Sequence, residues 1–271
     1  MYRHAIAAMV ALLGLTSTGS SALAGGDTSG ELTTWTITEG AEAVGTETLR
    51  LVQSDSGALF ASGEHKVNRG KHKSHLKVFL QRAPDGTIAK YRRVTAGRKG
   101  KGLFAFARNG GLRIVGVKTG KKARDFSDAL SRYAWDPEVW NHLAVAALRL
   151  DPAKARVEVA YFDVAAATKG KAIFVRQDVT KVTTKGDKLV EVVPWALQAG
   201  PGAPLTVYVS KDKRRKLVGV AGAHRKMLIK GWTWEKGAPA VEEPDSDEPQ
   251  GDEARGDADG GVDPEAEEVG P

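Results

Sequence analysis

Short apolar runs with a period of two recur along most of the sequence. Leu76, Val78 and Leu80 alternate with Lys77, Phe79 and Gln81; Val157, Val159 and Tyr161 alternate with Arg156, Glu158 and Ala160; Leu205, Val207 and Val209 alternate with Thr206, Tyr208 and Ser210. A side chain points to alternate faces along a strand, so each run reads as a strand with one face on a core. Weaker runs of the same kind lie at 32–38, 44–53, 58–67, 87–95, 103–108, 112–117, 171–183, 189–193, 217–220 and 227–234. Turn residues separate them, among them Pro84-Asp85-Gly86, Asn109-Gly110-Gly111, Lys185-Gly186-Asp187 and Lys211-Asp212-Lys213. Many short strands joined by short turns predict a meander in which sequence neighbours are also sheet neighbours. The expected fold is mostly β, a long curved antiparallel sheet or half-barrel.

One stretch departs from this period. Asp136-Pro137-Glu138 has the form of a helix opening, with a capping carboxylate, proline at the first helical position and an acid in the first turn. Val139, Leu143, Ala147 and Leu150 follow at helical spacing, Trp140 and Ala144 widen the stripe, and Asp151-Pro152 stops it. The spacing predicts a helix of about four turns, amphipathic, covering the concave face of the sheet. A shorter helical turn is expected at 126–133.

The two ends are of another kind. Residues 1–24 carry a basic start through Arg3, an apolar run from Ala5 to Leu15 and the small-residue ending Ala22-Leu23-Ala24, the three-part layout of a secretory signal peptide cleaved near Ala24. The apolar run is shorter than the roughly 20 residues needed to span a bilayer. The chain has no cysteine, so neither a disulfide framework nor a lipid-modified cysteine is available. Residues 237–271 hold thirteen acids against Arg255, and their aliphatic content beyond alanine is Val241, Val262 and Val269. Such a segment cannot bury enough apolar surface to fold, and it is expected to be a disordered acidic tail. With the whole chain at +7, the 25–236 domain carries +18. A polyanion is attracted by such a field, and the tail would compete with it.

Candidate sites follow from chemistry on this frame. Trp35, Phe104, Phe106, Trp140, Leu143, Tyr161 and Trp195 fall where an apolar face is expected and are the candidate lining of a ligand cavity. Arg92, Arg93, Arg98, Lys99 and Lys101 form the candidate anion-binding group, with further basic clusters around Lys66–Lys73, Lys118–Arg124 and Lys211–Lys216. Trp232 and Trp234 share a face and suit a sheet edge. His72 and His75 are an odd number of residues apart, hence on opposite faces of a strand; with His65 they read as solvated surface, as does His142, and no metal site or cofactor is expected. No nucleophile, zinc or phosphate-loop motif is present, so the chain is not expected to be an enzyme, unless a site is assembled from distant residues. No nucleic-acid-binding motif occurs, and a nucleic-acid partner is not expected.

The order of elements, with Asp136-Pro137-Glu138-Val139-Trp140, the stop at Asp151-Pro152 and the later strand–turn–strand from Leu205 to Val220, resembles an uncharacterised family of secreted bacterial half-barrel proteins. It is also similar to the periplasmic lipoprotein carriers of the LolA and LolB group. That resemblance implies a soluble, LolA-like protein of the periplasm or medium, with an acyl-chain cavity between helix and concave sheet. The expectation is an exported binding or carrier protein for an apolar or lipid-like ligand. The alternatives are a surface-electrostatic binder of anionic envelope polymer such as lipopolysaccharide, and a secreted enzyme.

Overall fold

The alternation resolves into a single hydrogen-bonded sheet. The computed structural model describes residues 30–97, 102–108, 111–117, 124–126, 133–166, 168–200 and 203–235. The chain divides into two units, Met1–Val241 and Glu242–Pro271, and all the described residues lie in the first. Its strands are β1 (Leu32–Glu39), β2 (Glu42–Gln53), β3 (Leu59–Arg69), β4 (His72–Arg82), β5 (Ile88–Thr95), β6 (Gly102–Arg108), β7 (Gly111–Val117), β8 (Arg124–Phe126) and β9 (Tyr133–Trp135). After the short helix α1 (Leu143–Ala147) come β10 (Arg156–Asp163), β11 (Thr168–Arg176), β12 (Thr180–Thr183), β13 (Leu189–Ala199), β14 (Leu205–Ser210), β15 (Leu217–Ala221), β16 (Arg225–Ile229) and β17 (Thr233–Trp234).

Two meanders make the sheet. Strands β1 to β8 pair in sequence order, each antiparallel to the next. In the second, β10 pairs β11, β11 pairs β13, and β13 to β16 run on in order. A seam between β1 and β16 joins the two, from Trp35 opposite Ile229 to Glu39 opposite Arg225. β9 adds to β10 as a parallel edge. β8 and β9 stand at the two ends and do not pair among the described residues, so this large curved sheet stays open and is not closed into a barrel.

Parity along each strand decides what faces in. Leu76, Val78 and Leu80 on β4, Tyr91 on β5, and Leu103 and Ala105 on β6 are buried in the main core, as are Val159 and Tyr161 on β10 and Val207 and Val209 on β14. Filling the concave side is the segment 133–150, a strap in which Tyr133, Val139, Leu143, Ala147 and Leu150 are all buried. A second, smaller core lies elsewhere on the sheet, where Val182, Val192, Tyr208, Val218 and Leu228 meet Trp232 and Trp234. There β17 pairs with β12, and Trp234 packs on Tyr208 with ring centroids 4.5 Å apart. The Pro84-Asp85-Gly86 turn forms as expected, Gly86 adopting φ +87°.

The strap corrects the expectation of a four-turn helix. α1 has only five residues, and its flanking hydrogen bonds, such as Leu143 N–H to Trp140 O, span three residues. Two contacts divert the chain before it. Asp136 does not cap a helix: its Oδ1 accepts the Glu138 N–H at 3.1 Å, closing a local turn. The N–H groups of Trp140 and Asn141 are taken by the carboxylate of Glu47, across the sheet. Asn141 also reaches the Thr48 carbonyl with its side-chain amide at 2.9 Å. Gly63 allows that approach, since a Cβ there would sit 3.0 Å from Asn141 Nδ2 and 1.9 Å from the Thr48 oxygen.

The signal peptide, the 237–271 tail, Asn109-Gly110 and most of the turn expected at 126–133 lie outside the described residues. No helix among the described residues is long and apolar enough to cross a membrane.

Candidate functional site

Where the strap meets the sheet, a set of polar groups is buried. Glu47 lies at the inward parity of β2, two residues before Leu49, and is 1% exposed. It accepts Nδ1 of His65 at 2.9 Å and the Trp140 N–H at 3.0 and 3.1 Å on its two oxygens, with the Asn141 N–H as a further donor. His65 is directly opposite Glu47 on β3 and is itself buried. A carboxylate fixed by three donors is a clamp that seats the strap.

A second buried carboxylate, Asp136, accepts the Tyr91 hydroxyl at 2.7 Å and Nη1 of Arg93 at 2.7 Å. Burial holds the Asp136 carboxyl above the usual aspartate range, against the opposing pull of Arg93 and the Tyr91 hydrogen bond. Burial, reinforced by Asp136, likewise raises the Tyr91 and Tyr133 phenols well above their ordinary value. His142 stacks on Tyr133 with centroids 5.5 Å apart and meets Trp135 edge-on at 6.0 Å. Its Nε2 accepts the Asp136 N–H at 3.4 Å, and burial lowers its pKa to about 4. The Tyr133 hydroxyl, His142 Nδ1 and Asn141 Oδ1 are buried without a hydrogen-bond partner among the described residues. His65 and His142 therefore correct the expectation of solvated histidines: His65 points from β3 to the Glu47 clamp under the strap, and His142, within the strap, packs against Tyr133 and Trp135.

Two openings lie along the strap, and the larger reaches this centre at Arg93. The larger, about 490 Å³, is polar: Ser74, Thr95, Arg93 and Glu138 line it, with Lys73 among the other residues around it. Arg93 is already engaged there, with Nη1 2.7 Å from Asp136 and 3.0 Å from Glu138. The smaller, about 150 Å³, is an apolar cleft between α1 and the sheet. Trp35, Leu49, Leu51, Ala144, Leu148 and Leu217 form its walls, and Arg214, Arg215 and Lys216 stand around it with Glu31. Arg215 occupies the turn before β15 at φ +49° and donates Nη1 to the Leu148 carbonyl at 3.4 Å. Lys216 is paired with Glu31.

The residues singled out from the sequence separate into three groups. Trp35, Trp140, Leu143, Tyr161 and Trp195 are buried members of the main core, packed with strap and sheet side chains, and of these Trp35 also lines the apolar cleft. Trp140 lies under Arg225, whose guanidinium is 3.5 Å from the ring centroid. Phe104 and Phe106 are a correction, because they face outward: on β6 it is Leu103 and Ala105 that point into the core, and Phe106 is 37% exposed. The smaller side chains face in because the strap already occupies the concave space. Of the basic group, Arg93 turns inward to Asp136 while Arg92 turns outward over Phe104 at 5.5 Å. Arg98, Lys99 and Lys101 lie outside the described residues. Sequence reasoning missed Glu47, although its parity with Leu49 carried the signal. It placed Arg214, Arg215 and Lys216 in a basic cluster without linking them to an apolar wall.

No protein family and no curated protein matches the sequence. Among solved structures, the chain is similar to a beta-barrel-like protein of domain of unknown function DUF1849 from Brucella abortus, with a TM-score of 0.49, 9% identity, and coverage of 75% of this chain and 97% of that one. It is also similar to a DUF1089 family protein from Pseudomonas aeruginosa, with a TM-score of 0.40, 13% identity, and coverage of 66% and 89%. Neither is described as a carrier of the LolA or LolB group. The architecture of this chain rests on its own strand pairing.

Proposed function

We propose that this chain is an exported, non-catalytic binding or carrier protein of the bacterial envelope, taking an amphiphile with an apolar tail and an anionic head. The observation that carries the reading is the cleft beside α1, where six apolar side chains form a wall within reach of Arg214, Arg215 and Lys216. An apolar cavity of about 150 Å³ is large enough for a benzene-sized group. The occupant is thus one end of an acyl-type chain, its head group left at the basic rim. Lys216 pairs with Glu31 and Arg215 lies 3.7 Å from Asp151, which leaves Arg214, exposed at the rim, to favour a carboxylate, sulfate or phosphate head. The secretory layout read in residues 1–24 supports the same reading. The packed concave core argues for this side cleft, not a wide central cavity, as the place of binding.

The test is titration with cis-parinarate, a slender polyene fatty acid whose emission rises in an apolar site. Saturable uptake with enhanced emission is expected. Leu148→Trp, which fills the cleft, should abolish it, and Arg214→Ala with Arg215→Ala should weaken it and flatten its salt dependence. Uptake that Leu148→Trp leaves unchanged would refute the assignment.

A further inference from the structure

The outer face of β3 to β7 carries residues that a merely solvated sheet face does not need. Cross-strand register lines up Ser62, Phe79, Arg92, Phe104 and Val115 in one row across five strands. The next row is Phe60, Gln81, Lys90, Phe106 and Arg113. Four of the chain's seven phenylalanines therefore share this one face. Strands lie about 4.8 Å apart and same-face residues about 6.8 Å apart along a strand, so five strands spread the rows over roughly 19 Å. Phe106 is exposed, and Phe60, Phe79 and Phe104 are half-buried. Lys77, Lys90 and Arg92 on the same face are exposed. Among the described outward residues of these strands Glu64 is the one acid, and it is paired with Lys66. The inward residues of the same strands complete the main core, so the phenylalanines are not displaced core residues.

We infer that this face docks the protein on an anionic lipid bilayer. Aromatic rings interleaved with lysine and arginine, with acids scarce, form the composition of an interfacial anchor. The rings settle at head-group level while the long basic stems carry their charges to the phosphates. In water the same stems lie across the rings: Arg92 is 5.5 Å from the Phe104 centroid and Lys90 is 5.9 Å from that of Phe79. That arrangement also separates a bilayer from single-stranded nucleic acid. Bases would need the open ring faces for stacking, and those of Phe79 and Phe104 already hold a cation. The inference stands apart from the cleft assignment, since the two surfaces share no residue.

The experiment is co-sedimentation of the purified protein with vesicles of phosphatidylglycerol and phosphatidylcholine in equal parts, beside vesicles of phosphatidylcholine alone. Binding to the anionic vesicles only is expected, and its loss at about 0.5 M salt, where screening shortens to a few ångströms. Each base near an anionic surface contributes roughly fivefold to partitioning, so Lys90→Gln with Arg92→Gln should weaken binding about 30-fold. Both substitutions are on an exposed face, and an unchanged urea midpoint verifies that the fold is intact. Leu148→Trp should leave vesicle binding unaltered while blocking probe uptake in the cleft, so either proposal can fail alone. Vesicle binding that the double variant does not weaken overturns the inference. So does an absence of binding to anionic vesicles at low salt, with or without binding to a single-stranded oligonucleotide.

Discussion

Replacing Glu47 by glutamine tests whether one carboxylate seats the strap. Oε1 accepts from His65 and Trp140, and Oε2 from Trp140 and Asn141, all at buried positions. Glutamine keeps the shape but turns one oxygen into an NH2 group. With the NH2 towards Asn141 two donors face each other; turned the other way it donates to His65 Nδ1, which the imidazole accepts in its other tautomer. The second arrangement keeps its partners and loses the charge on the bonds, worth about 1.5–3 kcal/mol. For a domain of this size that is on the order of 5 °C in Tm. The assay is urea unfolding near neutral pH followed by tryptophan emission, which reports on Trp140 beside the clamp. Glu64→Gln on the neighbouring strand is the control, and should stay within about 0.5 kcal/mol because that side chain is partly exposed. If Glu47→Gln falls within about 1 kcal/mol of the parent, the clamp is not what holds the strap, and the reasoning fails.

The pH dependence should carry the mark of His142. Its folded pKa of about 4 lies below the ordinary 6.5, so it is neutral in both states above pH 6.5 and costs nothing there. As pH falls from 6.5 towards 4 the unfolded chain gains the proton first, and about 3 kcal/mol of stability should be lost across that window. Urea midpoints measured through the window should show the slope, and His142→Gln should remove most of it. The two faces of β6 offer a contrast: Leu103→Ala should cost about 2–4 kcal/mol through the cavity it leaves, whereas Phe106→Ser should cost under about 1 kcal/mol. Equal losses in thermal melts would contradict the assigned parity.

Parity explains both what could be read in advance and what could not. Where apolar and polar residues alternate, as in Leu76-Lys77-Val78, the inward face was legible from the residues alone. In Leu103-Phe104-Ala105-Phe106 every residue is apolar, so the pattern carries no direction, and only the occupied concave space decides which set turns in. The stripe of Val139, Leu143, Ala147 and Leu150 correctly marked a buried segment, but a buried stripe does not require a continuous helix. Its backbone donors went to Glu47, a residue nearly a hundred positions earlier, and no local rule anticipates that bond. His65 and His142 look like surface residues by type, and their burial follows from long-range partners. The cleft was invisible for the same reason: its walls come from β1, β2, α1 and the turn before β15, which the sheet alone brings together.

The seam between β1 and β16 has a bearing on how the molecule comes into being. Its five residue pairs link strands at opposite ends of the folded sequence, so the first strand made has one side without its neighbour until nearly the last has emerged. Contacts so distant along the chain make assembly slow. Shortening the polypeptide just before β16 would leave β1 with a bare edge prone to self-association.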